Sequence, residues 1–288
     1  MDRRVTLIGF GEAGRTFATA GEWKQAARVH DLLSGEPAMQ AAMANAGIIR
    51  CADMEEAVTG ASFILSLVTA DQALIAARDA ACSISPGTIF CDMNSVAPQT
   101  KQAAAEMIDA AGGHYVDVAI LAPVNPARLS VPLLLAGEKA AEAMKIFTAL
   151  GFTNIRIAGE AVGRASAIKM IRSVMIKGME ALTAECVLAA EKADVLDEVL
   201  ASLDASEKPR PWNERADYNL DRMMIHGLRR AAEMEEVVKT LEGLGTGAAM
   251  TRGTVQRQRE IGALGLKQPE DGLVNKIIRI SNGRMQEA

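Results

Sequence analysis

Short apolar runs alternate, along the first half of the chain, with longer segments rich in alanine and charge. VTLI at Val5–Ile8 breaks at a glycine, and residues 13–24 then have helical composition. ARVH at Ala27–His30 follows and stops at Asp31. FILSLV at 63–68, TIFC at 88–91, HYVD at 114–117, LLLA at Leu133–Ala136 and IRI at 155–157 are runs of the same kind. Between them, residues 71–81 and 99–111 suit helices. A continuous apolar run fits a strand buried on both faces, and strands alternating with helices predict a parallel sheet covered on both sides.

After about residue 160 the pattern changes. Residues 163–192 read as one long helix, and no later run reads as a strand. KPRP at 208–211 is a breaker, and helical periodicity resumes from Asn213 toward Leu244. The expectation is an α/β domain over residues 1–162 and an all-helical domain over 163–288.

Residues 9–14, GFGEAG, match G-x-G-x-x-G. The pattern is weak alone, but here it follows one strand, opens a helix and precedes a second strand. Gly9 permits the tight turn, Gly11 lets a pyrophosphate approach the backbone, and Gly14 lets helix and strand pack closely. Phe10, Glu12 and Ala13 complete the turn, whose helix N-terminus favours phosphate. The α/β domain is therefore of the Rossmann, doubly wound type, and residues 9–14 are its cofactor-binding turn. Val68 and Thr69, at the end of the 63–68 run, belong to the same cofactor site. Asp31 stands where a carboxylate accepts bonds from the adenine ribose and repels a 2′-phosphate, or simply caps the next segment. Leu32 and Leu33 after it offer no cation, which favours NAD over NADP, although Arg15 and Arg28 are near enough in sequence to reach round.

Composition narrows the functional classes. With 49% hydrophobic residues in 288, the chain is globular and long enough for two cores. Aromatics are 3% and the formal net charge is −5, which argues against a nucleic-acid partner. The apolar run near the N-terminus is too short for a signal peptide's core, and no stretch approaches 18 apolar residues, so neither export nor a membrane span is expected. Cys51, Cys82, Cys91 and Cys186 lack metal-site spacing and read as small buried residues of a reducing, cytoplasmic compartment. No metal site is expected.

Two further stretches carry candidate chemistry. DMNSVAP at 92–98 follows a strand, at the end that borders the ligand crevice of such sheets. Asn94 and Ser95 there are able to hydrogen-bond a substrate, or simply to start a helix. In GRASAIKMIRS at 163–173, Lys169 sits among small and apolar residues, with Ser173 one helical turn further along the same face. The neighbours predict that this part of the helix is largely buried. From helix composition alone, Lys169 is either a proton-handling group or a cation snorkelling to solvent.

These motifs, in this order, resemble the β-hydroxyacid dehydrogenase superfamily, which includes 6-phosphogluconate and 3-hydroxyisobutyrate dehydrogenases. The resemblance spans nearly the whole chain. Residues 9–14 look like its nucleotide turn, residues 92–98 like its substrate-binding segment, and Gly163 with Lys169 like its helix-opening glycine and catalytic lysine. The departures are specific. The family's D-A-P-V-S-G-G segment is DVAILAP here, from Asp117 to Pro123, so the Ser-Gly-Gly clamp is missing. Ser173 stands where the family has asparagine, and His226-Gly-Leu-Arg229-Arg230 replaces its later Lys-Asp-Leu segment. The combination looks like a subgroup of NAD(P)-dependent oxidoreductases with a distinctive C-terminal helical domain.

The resemblance implies hydride transfer between NAD and the alcohol or carbonyl of a small polar, acidic substrate. Lys169 would be the general acid/base, and Asn94, Ser95 and Ser173 would orient the substrate; His226 and Arg229 are candidates for a lid or anion contact, or simply part of a solvated helix face. An imine reductase of the same fold and a non-catalytic dinucleotide-binding regulator are the rival readings. The alanine- and methionine-rich helices have apolar residues on several faces, which together with the resemblance predicts a homodimer formed through the second domain.

Overall fold

The computed structural model describes residues 5–192, 194–206, 211–243, 248–266 and 272–285. Contacts divide the chain into two compact units, Met1–Met170 and Ile171–Ala288.

The first unit is built on eight strands: β1 Val5–Ile8, β2 Ala27–His30, β3 Ile49–Arg50, β4 Phe63–Ser66, β5 Ile89–Asp92, β6 His114–Ile120, β7 Leu133–Ala136 and β8 Ile155–Gly159. Their order in the sheet is β3-β2-β1-β4-β5-β6-β7-β8. The helices of this unit are α1 Glu12–Ala20, α2 Pro37–Ala46, α3 Met54–Val58, α4 Ala73–Ala81, α5 Pro98–Ala110 and α6 Ala140–Ala149. Every residue of β1, β4, β5 and β7 is buried, as the unbroken apolar runs require. One core lies around Leu7, Phe17, Val29, Leu65, Phe147 and Phe152, where the three phenylalanines meet edge to face. A second, around Ile64, Ala77, Phe90, Ala104 and Ile108, is lined by the alanines of α4 and α5. The order reverses direction between β1 and β4, so their carboxyl ends flank the crevice where ligands bind in open sheets.

One expectation needs correction. The sheet is mixed, because β7 runs antiparallel to β6, with Asp117 facing Ala136 and Ile120 facing Leu133. A parallel return needs a crossover of a dozen or more residues, usually a helix. The twelve residues between Ile120 and Leu133 reach that length but hold only the 3₁₀ turn Arg128–Ser130 and no crossover helix, so the chain folds back antiparallel. Cys82 is a second correction: Cys51 and Cys91 are buried, but Cys82 is exposed just after α4. The side chain of Cys186 lies outside the described residues.

The helix α7, Arg164–Lys192, begins in the first unit and runs on into the second. It is followed by α8 Leu196–Ser206, α9 Trp212–Gly243, α10 Ala249–Ala263 and α11 Leu273–Met285. Most of the KPRP breaker, residues 208–210, lies outside the described residues. The core of this unit gathers Val187, Leu220, Met223, Met224, Ile261, Ile277 and Ile280. At the crossing of α9 with α10, a Cβ on Gly227 would lie 2.3 Å from the Gln258 carbonyl oxygen, and one on Gly262 only 2.4 Å from Leu228 N. Two glycines bring these backbones together.

Candidate functional site

The turn after β1 is shaped by its glycines. Gly9 has φ +93°, and a Cβ there would lie 2.5 Å from the Leu67 carbonyl oxygen, against the neighbouring β4 loop. A Cβ on Gly14 would lie 2.7 Å from the Gly9 carbonyl oxygen, so this glycine closes the helix onto the turn. Gly11 differs: nothing lies within 4 Å of where its Cβ would be. It is the N-cap of α1, and no side chain caps that helix end. The result is a bare backbone surface at a helix N-terminus, the environment a pyrophosphate needs. These residues fit a dinucleotide. Glu12, in the first turn, faces Asn125, whose Nδ2 donates to its Oε1 at 3.4 Å.

Asp31 closes the second side of this turn. Its Oδ2 accepts the Phe10 backbone N–H at 2.6 Å and its Oδ1 that of Leu33 at 2.8 Å. The carboxylate is thereby held at the end of β2, beside the glycines. Of the two arginines with a route to a 2′-phosphate, Arg28 points elsewhere, while Arg15 stays against the turn, with its guanidinium over the Phe10 ring. Arg15 donates from Nε to the Phe10 carbonyl at 2.8 Å, and Arg28 donates to Thr6 Oγ1 at 3.0 Å and the Thr59 carbonyl at 2.6 Å. Leu32 and Leu33 are exposed.

Across the switch point, Asn94 ties two loops together. Its Oδ1 accepts the Val68 N–H at 2.7 Å and its Nδ2 donates to Ser66 Oγ at 2.9 Å. Asn94 is buried, so its amide braces the β4 loop that carries Val68 and Thr69. Asp92 Oδ1 accepts the Asn94 backbone N–H at 2.8 Å, turning the chain so that Ser95 stands beyond the end of β5. Lys169 Nζ donates to Ser95 Oγ. Lys169 itself is half-buried. The expectation that this part of the helix is largely buried holds for one side only: Ala165, Ser166 and Met170 are covered, while Ile168 and Ile171 are exposed. A helix presents one face to its support, and composition alone does not say which residues fall on it.

Beneath this pair lies a buried charge group. Lys101, fully enclosed on α5, donates from Nζ to the Asp92 carbonyl at 2.6 Å and sits 2.9 Å from Asp92 Oδ1 and 3.5 Å from Asp117 Oδ1. Asp92 and Asp117 are direct partners on β5 and β6. Tyr115 donates its hydroxyl to Asp92 Oδ2 at 2.5 Å. Burial, and then the Asp92 charge, push the Tyr115 phenol well above its ordinary value, so it remains a protonated donor. Asp117 Oδ2 accepts the backbone N–H groups of Gly163 at 3.2 Å and Ser166 at 2.9 Å. The N-terminus of α7 meets Asp117 with its positive dipole end.

Sequence reasoning named neither Lys101 nor Tyr115 as functional. The signal was present for Lys101, which shares a helical stripe with the buried Ala104, Ala105 and Ile108. A charge on an apolar stripe needs a buried partner. Ser173 is buried on α7 and His226 half-buried on α9; both belong to the second unit. There the buried Lys177 pairs with Glu233, which also meets Arg229, and Arg230 pairs with Glu180. Burial pulls the Lys177 ammonium down against the opposing pull of Glu233, and lowers Arg230 to about 10. Among the described residues no group of three or more His, Cys, Asp and Glu is arranged to hold a metal, and no helix is long and apolar enough to cross a membrane.

Comparison with known proteins bears on the fold and the family. Residues 4–159 match the family model described as the NAD binding domain of 6-phosphogluconate dehydrogenase, and residues 190–261 match one described as a domain of unknown function, DUF1932. A conserved hypothetical protein from Sinorhizobium meliloti 1021 is 35% identical over 98% of this chain and 97% of its own, with a TM-score of 0.75. A conserved protein of unknown function, described as structurally similar to 3-hydroxyacid dehydrogenases, is 28% identical over 99% of both chains, with a TM-score of 0.67. The 3-hydroxyisobutyrate dehydrogenase of Mycobacterium tuberculosis shares the fold at 15% identity, covering 97% of this chain and 98% of its own, with a TM-score of 0.73.

Proposed function

This chain belongs to the family of the 6-phosphogluconate dehydrogenase NAD-binding domain, within the β-hydroxyacid dehydrogenases, and on that premise we propose that it interconverts the alcohol and carbonyl of a small polar, acidic substrate, with Lys169 as general acid/base. The observation that carries the reading is the hydrogen bond from Lys169 Nζ to Ser95 Oγ beyond the end of β5, on the crevice side of the sheet.

NAD is the cofactor of this domain, and when bound it would supply or accept hydride. The bare N-terminus of α1 at Gly11 would take the pyrophosphate, and Asp31 the adenine ribose. Val68 and Thr69, braced by Asn94, would support the cofactor from the β4 side. In the oxidative direction Lys169 takes the substrate hydroxyl proton onto Nζ. In the reductive direction its ammonium donates that proton and stabilises the developing alkoxide. Ser95, holding Nζ, orients the lysine and offers its hydroxyl to the same substrate oxygen. The segment Leu121, Ala122 and Pro123 replaces the Ser-Gly-Gly clamp with side chains that do not hydrogen-bond. Pro123 has no backbone N–H and that of Leu121 is bonded to the Pro132 carbonyl at 2.9 Å, so recognition of the substrate's acid group falls mainly to other residues.

A screen with NAD and NADP across hydroxyacids, sugar acids and aryl alcohols tests the reading. Turnover of at least one alcohol with NAD is expected. Replacing Lys169 with Met should lower kcat by orders of magnitude and leave NAD affinity intact. Unchanged turnover in that variant removes Lys169 from the mechanism, and reduction of imines without any alcohol activity rejects the alcohol assignment.

A further inference from the structure

We infer that Asp117, joined to Asp92 through Lys101, is a positioning residue that sets the distance between Lys169 and Ser95. This inference rests on the proposed role of Lys169. The two ends of the Lys169–Ser95 hydrogen bond come from different elements, α7 and the loop after β5. Each end is tied down by one carboxylate of the buried group.

On the Ser95 side, Asp92 Oδ1 holds the Asn94 backbone N–H, one residue before Ser95. On the Lys169 side, Asp117 Oδ2 holds Gly163 N and Ser166 N, and lies 3.1 Å from Ser166 Oγ. Ser166 is one helical turn before Lys169, on the same face. Asp117 thus replaces the local side-chain cap that Gly163 has no means to supply. It reaches the helix from a neighbouring strand, so it fixes where the helix begins relative to the sheet.

Lys101 connects the two anchors. Asp92 and Asp117 face each other across β5 and β6, where like charges repel, and the Lys101 ammonium stands between them at 2.9 and 3.5 Å. Tyr115 caps the remaining Asp92 oxygen. Gly163 adds a steric stop, since it has φ +96° and a Cβ there would lie 3.1 Å from Pro98 Cβ at the start of α5. None of these groups needs to touch substrate. Together they hold the start of α7 and the Ser95 loop in one register, and a shift of about 1 Å in such a pair costs on the order of 10²-fold in rate.

The test compares Asp117→Asn and Tyr115→Phe with the native protein in three measurements. These are NAD affinity, kcat against KM for the alcohol substrate, and the rate at which trace acetic anhydride labels Lys169, read by peptide mass spectrometry with Lys139 as internal reference. The inference expects unchanged NAD affinity and at least a tenfold fall in kcat, with a smaller change in KM. It also expects severalfold faster labelling of Lys169 as it leaves Ser95, relative to Lys139. The milder Tyr115→Phe change should move the same readouts in the same direction, and it carries the test if Asp117→Asn does not fold. A folded variant whose Lys169 labelling and kcat stay within twofold of native overturns the inference. The labelling readout is independent of turnover. If Lys169→Met remains active while Asp117→Asn still exposes Lys169, the catalytic reading fails and the structural coupling stands.

Discussion

Asp31 shows how much a single side chain decides. Its two oxygens are already bonded to Phe10 N and Leu33 N, so the carboxylate is held in place before any cofactor arrives. Replacing it with Asn keeps the size, removes the charge that repels a 2′-phosphate, and weakens a charge-assisted bond of about 1.5–3 kcal/mol. Steady-state kinetics of Asp31→Ala and Asp31→Asn with both cofactors should show kcat/KM for NAD falling about tenfold or more. The preference over NADP should narrow as well. An unchanged preference would mean that Asp31 does not read the ribose. Features that depend on local spacing, such as the glycine turn of 9–14 and the place of Lys169 on a helix opened by Gly163, were legible along the chain. The contacts of Asn94 were not: expected to hydrogen-bond a substrate or to start a helix, it meets Val68 and Ser66 with its amide, 26 and 28 residues away.

Elements pack by rules that a one-dimensional pattern carries only in part. The long helices α7 and α9 follow from periodicity, but the close crossing of α9 and α10 depends on Gly227 meeting Gly262, which no spacing reveals. A side chain at Gly227 meets backbone atoms at 2.3–2.8 Å, with no flexible group to give way. Gly227→Ala should therefore destabilise by about 1–3 kcal/mol despite its better helix propensity, which offsets at most about 1 kcal/mol. Thermal unfolding checks this, and an unchanged Tm would mean that the helices separate without cost. The glycine also gives the segment around His226 a packing role of its own.

The last helix, α11, is clamped by Lys276, which lies 2.6 Å from Asp217 and 2.9 Å from Asp221 on α9. Burial pulls its pKa down, but the hydrogen bonds and charges of the two aspartates outweigh that and raise it above the ordinary lysine value of 10.5. The contribution is thus complete below pH 10.5, where folded and unfolded lysine are both charged. It is lost as pH rises through the higher folded value, because the unfolded lysine gives up its proton first. Urea midpoints of the native protein and Lys276→Met should differ clearly at pH 8 and converge above pH 10.5. A constant difference would argue that the methylene stem, not the charge, does the holding.

At the scale of the whole molecule, the second unit leaves Ile171, Met175 and Met179 exposed at 49, 65 and 38% along one stripe of α7. Their spacing of four residues places them on a single helical face. We expect this face to join a second copy of the chain. Sedimentation equilibrium at micromolar concentration should give a dimer, and Met175→Glu should shift it toward monomer. A monomer at those concentrations in the native protein would reject the expectation.

The sequence by itself determined the alternation of strands and helices, the nucleotide turn, the long C-terminal helices and the family, because each is written in local spacing and in which face of an element is apolar. Tertiary structure decided the reversal of β7, the exposure of Cys82, the engagement of Asn94, and the Asp92–Lys101–Asp117 group under Lys169. These depend on which distant residues meet when strands pair. A buried charge is stable only where the fold brings its partners within about 3 Å, and periodicity along the chain does not say which partners those are.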